Sequence, residues 1–201
     1  MSPRRRAIVA AGGNAVLLAP AWALSPARAF VHVWVVVGLA TIFAAVEAAC
    51  ATADDRTDRV LPIGPTLTAL ALLATIVVSL LSAAAQVSAA EMTIGASVAA
   101  LGILLRAAAM RTLGGAFVTQ TRPSAALVRH GPYRWLRHPS ELGLLAIAVG
   151  ITVIAGSVAA LWVVAMALAP IVVVRTQLES RELSRFLRSP QAGSWQTTSR
   201  L

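Results

Sequence analysis

The chain has 201 residues, 58% of them hydrophobic and 12% charged, with a formal net charge of +9. Apolar runs long enough to cross the ~30 Å hydrocarbon core of a bilayer several times exclude an ordinary water-soluble domain. All 17 basic residues are arginines placed between and beside apolar segments, so no nucleic acid partner is expected, and the single cysteine, Cys50, excludes an intramolecular disulfide and a cysteine-rich metal site.

Six spanning segments are expected, at Ala7 to Leu24, Ala27 to Cys50, Pro65 to Ala85, Thr93 to Met110, Ser140 to Gly156 and Ser157 to Val174. Each has about the 17 to 25 residues a transmembrane helix needs. The first, behind Arg4, Arg5 and Arg6, also has the outline of a signal peptide; with no soluble domain following it, a retained helix is expected. Breakers separate the others: Ser25-Pro26, the charged run from Asp54 to Arg59 with Pro62 and Pro65, and the Gly156-Ser157 turn. That last turn is short enough to force a tight helical hairpin.

The positive-inside rule tests this division. With the amino terminus inside, the inner connections hold Arg4 to Arg6, Arg56 and Arg59, the group from Arg111 to Arg137, and Arg175 onward, while the outer ones hold only Arg28. Arg106, near the inner end of the fourth segment, is expected to snorkel to that side. The fold class is therefore all-α, a polytopic transmembrane bundle in a cell (inner) membrane, with both termini cytoplasmic. Glu47 and His32, near the two ends of the second segment, read as interfacial. Gly12-Gly13, Gly95 and Gly102 suit close packing of helices in lipid, so residues 1–110 read as scaffold.

Residues 111–201 carry the polar sequence. The connection from Arg111 to Gly143 is too long for a simple loop in so compact a chain. Gly114-Gly115 turns it from the helix end, Gly131-Pro132 makes a second bend, and Tyr133 and Trp135 suit the headgroup layer. Pro139 fits the first position of the next helix, with Glu141 complementing the helix's positive end. Taken alone, Arg134, Arg137 and His138 would make a clamp for lipid headgroups. Gly143 and Gly150, seven residues apart, leave a face open to a flat ligand or to a neighbouring backbone. Beyond the last span, RTQLESRELSRFLR (Arg175 to Arg188) forms an amphipathic tail. Arg175, Glu179, Glu182 and Phe186 share one side of it, and Arg181, Arg185 and Arg188 make a stripe facing phospholipid.

The ordered set RTLGGAF, LVRHGPYRWLRHPSELG, a hairpin and RTQLESREL, from about Arg106 to Phe186, resembles the isoprenylcysteine carboxyl methyltransferase family, itself related to the membrane phospholipid methyltransferases. The resemblance implies S-adenosylmethionine as methyl donor, bound on the cytosolic side, and a lipophilic small-molecule or lipidated acceptor arriving from the membrane lipid. It assigns cofactor binding to His138, Pro139 and Gly143, with Tyr133, Arg137 and Glu141 as neighbouring positions, and places Arg175 and Glu179 at the family's tail arginine and first tail glutamate. Three departures stand out. Glu141 occupies a position usually held by tyrosine, the paired tail glutamates become Glu179-Ser180, and Trp195 alone stands where two closing tyrosines are usual.

Chemistry adds two possibilities for the catalytic group Arg175, Glu179 and Glu182. Arg175 would orient a carboxylate acceptor, whereas a hydroxyl or amine acceptor would use Glu179 or Glu182 as base. The alternative to an enzyme is a non-catalytic scaffold or lipid-binding protein that keeps the same inner loop. A transporter is disfavoured by the scarcity of polar groups at mid-membrane.

Overall fold

In the computed structural model the described residues are 2–50, 63–113 and 130–188, without the side chains of residues 63–65, 179 and 182–188. They are helical throughout apart from turns. The helices are α1 (Pro3–Leu24), α2 (Val31–Cys50), α3 (Ile63–Leu81), α4 (Ala89–Leu113), α5 (Pro139–Ala155), α6 (Val158–Val163) and α7 (Ala169–Arg188), with a 3₁₀ turn at Gly131–Arg134 and a π turn at Val164–Leu168 joining α6 to α7. Among the described residues four helices are long and apolar enough to cross a membrane, Pro3–Leu24, Val31–Cys50, Ala89–Leu113 and Val158–Leu178; Thr66–Leu81 and Pro139–Ala155 are shorter apolar helices. Each of the six expected segments is thus largely helical. Large apolar side chains such as Trp34, Leu101, Leu104, Trp162 and Met166 are exposed, as helices that face lipid require.

Local chemistry explains the shifted boundaries. α4 starts at Ala89, four residues before the expected Thr93, because Ser88 and Glu91 form a reciprocal capping box. Glu91 N–H donates to Ser88 Oγ at 3.2 Å, and Ser88 N–H donates to Glu91 Oε2 at 2.8 Å. α2 starts late, at Val31, because Ala27 to Phe30 is held in turns, with Ala27 N–H on Ser25 Oγ at 3.3 Å and Phe30 N–H on Ala27 O at 2.9 Å. The expected hairpin is present. Gly156 ends α5 at φ +60°, a left-handed conformation suited to glycine, and Ser157 caps α6 by accepting from Ala160 N–H at 3.0 Å.

α5 is the buried centre, with Ile147, Ile151 and Ile154 fully enclosed. Its most extensive contact is with α4, in an antiparallel register set by glycines. A Cβ on Gly102 would stand 2.6 Å from Gly143 O, and one on Gly150 would stand 2.5 Å from Gly95 O. Only backbone fits between the two helices, which lets them approach closely and gain dispersion along their length. A Cβ at Gly12 or Gly13 would meet nothing within 4 Å, so those two glycines serve no such contact among the described residues. His32 also differs from expectation: it is 4% exposed and stacks on Phe30 with ring centroids 5.7 Å apart, enclosed by protein rather than open at an interface.

Candidate functional site

The two stretches that carry the polar sequence converge where α5 begins. Gly131 takes φ +58°, turning the chain into the 3₁₀ segment, and a Cβ there would stand 2.7 Å from Thr112 Oγ1 at the end of α4. His138 is the residue before α5, Pro139 occupies the first turn, and Ser140 and Glu141 follow, both 6% exposed. Proline at this position sacrifices no helical hydrogen bond. Across from them stands α7.

Two ion pairs organise the region. Arg106, on α4, directs Nε to Glu47 Oε2 at 2.7 Å and Nη2 to Glu47 Oε1 at 2.6 Å, a fork on both carboxylate oxygens. Its remaining nitrogen, Nη1, donates to Ser140 Oγ at 2.8 Å and Ser140 O at 3.2 Å. The Phe43 ring lies 5.9 Å from the guanidinium carbon, and Tyr133 and Glu141 are within its electrostatic reach. Arg106 therefore binds α2, α4 and the first turn of α5 together. The expected snorkelling is replaced by pairing, because a carboxylate at matching depth on α2 is a better partner than a stretched route to water.

The second pair joins the entrance to the tail. Arg175 Nη1 lies 3.3 Å from Glu141 Oε1, with the two side chains 19% and 9% exposed. Glu141 Oε2 is buried without a hydrogen-bond partner. One turn further along α7, Ser180 Oγ lies 3.4 Å from His138 Nε2 and donates to Thr176 O at 2.7 Å. Arg175 and Ser180 thus face Glu141 and His138 across one gap.

The sequence-derived residues fall into four groups. His138, Glu141 and Arg175 come together, with Tyr133 nearby. Arg137 is exposed, as are Arg134 and Trp135, the latter at 79% with the Arg134 guanidinium 5.3 Å from its ring, an arrangement suited to the headgroup layer. Gly143 belongs to the α4 contact: a Cβ there would stand 2.7 Å from Gly102 O and 3.0 Å from the Arg106 backbone, so of the two uses open to the Gly143 and Gly150 face, a neighbouring backbone fills it. Glu179 and Glu182 are turns of α7, but their side chains lie outside the described residues, as do Gly114-Gly115, the run from Asp54 to Arg59 and Trp195. Sequence reasoning missed the part played by Arg106, Glu47 and Ser140. The available signal was an arginine and a glutamate inside apolar spans at the same membrane face.

Comparison with known proteins agrees with the region of the chain that holds this cluster. Residues 92–185 match the model of the isoprenylcysteine carboxyl methyltransferase (ICMT) family, a stretch running from the start of α4 into α7. No curated protein and no solved structure matches the chain. Residues 92–185, a little under half of the chain, are thus similar to the isoprenylcysteine carboxyl methyltransferase family.

Proposed function

We propose that this chain is an integral membrane methyltransferase that uses S-adenosylmethionine and modifies a lipophilic acceptor at the inner face of the membrane. The observation that carries the reading is the convergence of His138 and Glu141 with Arg175 and Ser180, two stretches about forty residues apart, inside the family-matched region. The residues present fit the donor. Glu141 Oε2 is a buried acceptor without a partner, and the donor carries ammonium and ribose hydroxyl hydrogens. Tyr133, Arg137 and His138 along the entrance, with Pro139 fixing where the helix starts, are proposed to hold it.

When bound, the donor supplies an electrophilic methyl group on a sulfonium. The chain's own part is positioning. Holding two reactants at near-attack distance contributes roughly 7 to 11 kcal/mol, and neither proton transfer nor metal is needed for that contribution. Arg175, fixed by Glu141, and Glu179 and Glu182 further along α7 are proposed to line the acceptor side. Burial of the Glu141 and Arg175 pair keeps water away and strengthens electrostatic contacts there. Both termini are proposed to be cytoplasmic, as the arginine distribution requires.

Titration calorimetry of the purified protein with S-adenosylhomocysteine is the direct test, and it also separates an enzyme from a non-catalytic scaffold. Wild type should bind and His138→Ala should lose at least tenfold in affinity, about 1.4 kcal/mol. Absence of heat from the wild-type protein at saturating ligand would sink the reading.

A further inference from the structure

Glu47 lies on α2, outside the family-matched residues 92–185, yet one side chain ties it to the entrance of the site. Arg106 holds both Glu47 oxygens, at 2.6 and 2.7 Å, and gives its third nitrogen to Ser140, at 2.8 Å to Oγ and 3.2 Å to the carbonyl. The residue after Ser140 is Glu141, whose charge also acts on the Arg106 guanidinium. Two carboxylates therefore compete for one arginine. The Arg106 side chain is 13% exposed, so its charge has to be matched inside the protein. Glu47 meets that need with a fork on both oxygens. Glu141 is left to Arg175, with Oε1 3.3 Å from Nη1 and Oε2 buried without a hydrogen-bond partner. Tyr133, which also acts on Arg106, is a phenol and carries no charge at neutral pH. Arg137, at the same entrance, is exposed, so water screens its charge and it competes weakly for Glu141.

We propose that Glu47 is a positioning residue for the site: by neutralising Arg106 it reserves Glu141 for Arg175 and for the bound donor. With Glu47 uncharged, Arg106 turns to Glu141, the other carboxylate acting on it among the described residues, and takes Oε2, the atom fitted to the donor above. Arg175 then loses its partner on α5. This role rests on the methyltransferase reading for the ligand that senses it, whereas the choice of partner by Glu141 does not.

The test compares wild type, Glu47→Gln and Arg106→Gln in neutral-lipid nanodiscs, by calorimetry with S-adenosylhomocysteine and by melting temperature. Both variants break the same pair, but only Glu47→Gln frees a buried cation. Glu47→Gln should weaken S-adenosylhomocysteine by about tenfold or more, the size expected of one charged hydrogen bond, whereas Arg106→Gln should stay within about threefold of wild type. A mere lock between helices predicts the reverse order, because Arg106 makes all four hydrogen bonds of the junction. Wild-type affinity in Glu47→Gln overturns the proposal, and so does an equal or larger loss in Arg106→Gln; the latter decides even where Glu47→Gln fails to fold. A second measurement needs no ligand. Arg175→Gln should lower the melting temperature less in Glu47→Gln than in wild type, because Arg175 has already lost Glu141 there, and should lower it undiminished in Arg106→Gln. Equal drops in all three backgrounds overturn the proposal. Wild type that binds no S-adenosylhomocysteine removes the methyltransferase reading, while the melting temperatures still decide which partner Glu141 takes.

Discussion

The two ion pairs at the start of α5 are built from the same residue types and behave as opposites. Around Arg106 every nitrogen has a partner and both Glu47 oxygens are bonded. Between Arg175 and Glu141 the contact is longer, at 3.3 Å, and Glu141 keeps an oxygen over. A saturated pair has nothing left for a ligand and serves to lock helices together. A pair with a buried, unsatisfied atom bears a standing cost of about 1–3 kcal/mol that a bound ligand would relieve. The difference separates scaffold from site within a few residues of chain.

The contrast can be broken most directly at its strong end. Arg106→Leu should lower the unfolding free energy in bicelles by about 3 kcal/mol, because it strands Glu47 and the Ser140 carbonyl and hydroxyl. A loss below 1 kcal/mol would mean the pair is ornamental. Next comes the glycine seam that holds the same helices. Gly102→Ala should cost about 2 kcal/mol, since its Cβ must displace Gly143 O, whereas Gly12→Ala should stay within about 0.5 kcal/mol. Equal effects at the two positions would remove the seam's special status. Glu141→Gln should cost about 1.5 kcal/mol, because the amide oxygen can still accept from Arg175; destabilisation as large as that of Arg106→Leu would erase the distinction between the pairs. Smallest of all, Ser180→Ala should shift stability by only about 0.5 kcal/mol, because 3.4 Å to His138 is a long contact. Differential scanning of that variant with and without S-adenosylhomocysteine would expose any larger role.

Much of this arrangement was legible before the fold was in hand. The Gly156-Ser157 turn, the bend at Gly131 and Pro139 at a helix start are local features, set by φ preference and by a missing N–H, and they occur where the sequence placed them. Seven-residue glycine spacings were visible on both α4 and α5, but nothing local says that Gly95 meets Gly150 and Gly102 meets Gly143. The pairing of Arg106 with Glu47, 59 positions apart, was hidden for the same reason: sequence records the sign and depth of a charge, and the bundle decides which neighbour neutralises it. Arg175 shows the same limit. Helical spacing points only to neighbours on α7 itself, and the structure brings in Glu141 from another helix.

The π turn at Val164–Leu168 has a further effect on Arg175. A turn closed by i→i+5 bonds takes in one residue more than an α-helical turn, so α7 stands roughly 100° from where an unbroken α-helix from Val158 would set it. The aim of Arg175 and Ser180 at the entrance is therefore a matter of phase, fixed a turn or more before either residue. Removing one residue from Val164–Leu168 should restore a plain α-helix and keep that aim. Removing one from the stretch Ala169 to Val174 should swing both side chains away by the same angle, and S-adenosylhomocysteine binding would tell the two deletions apart.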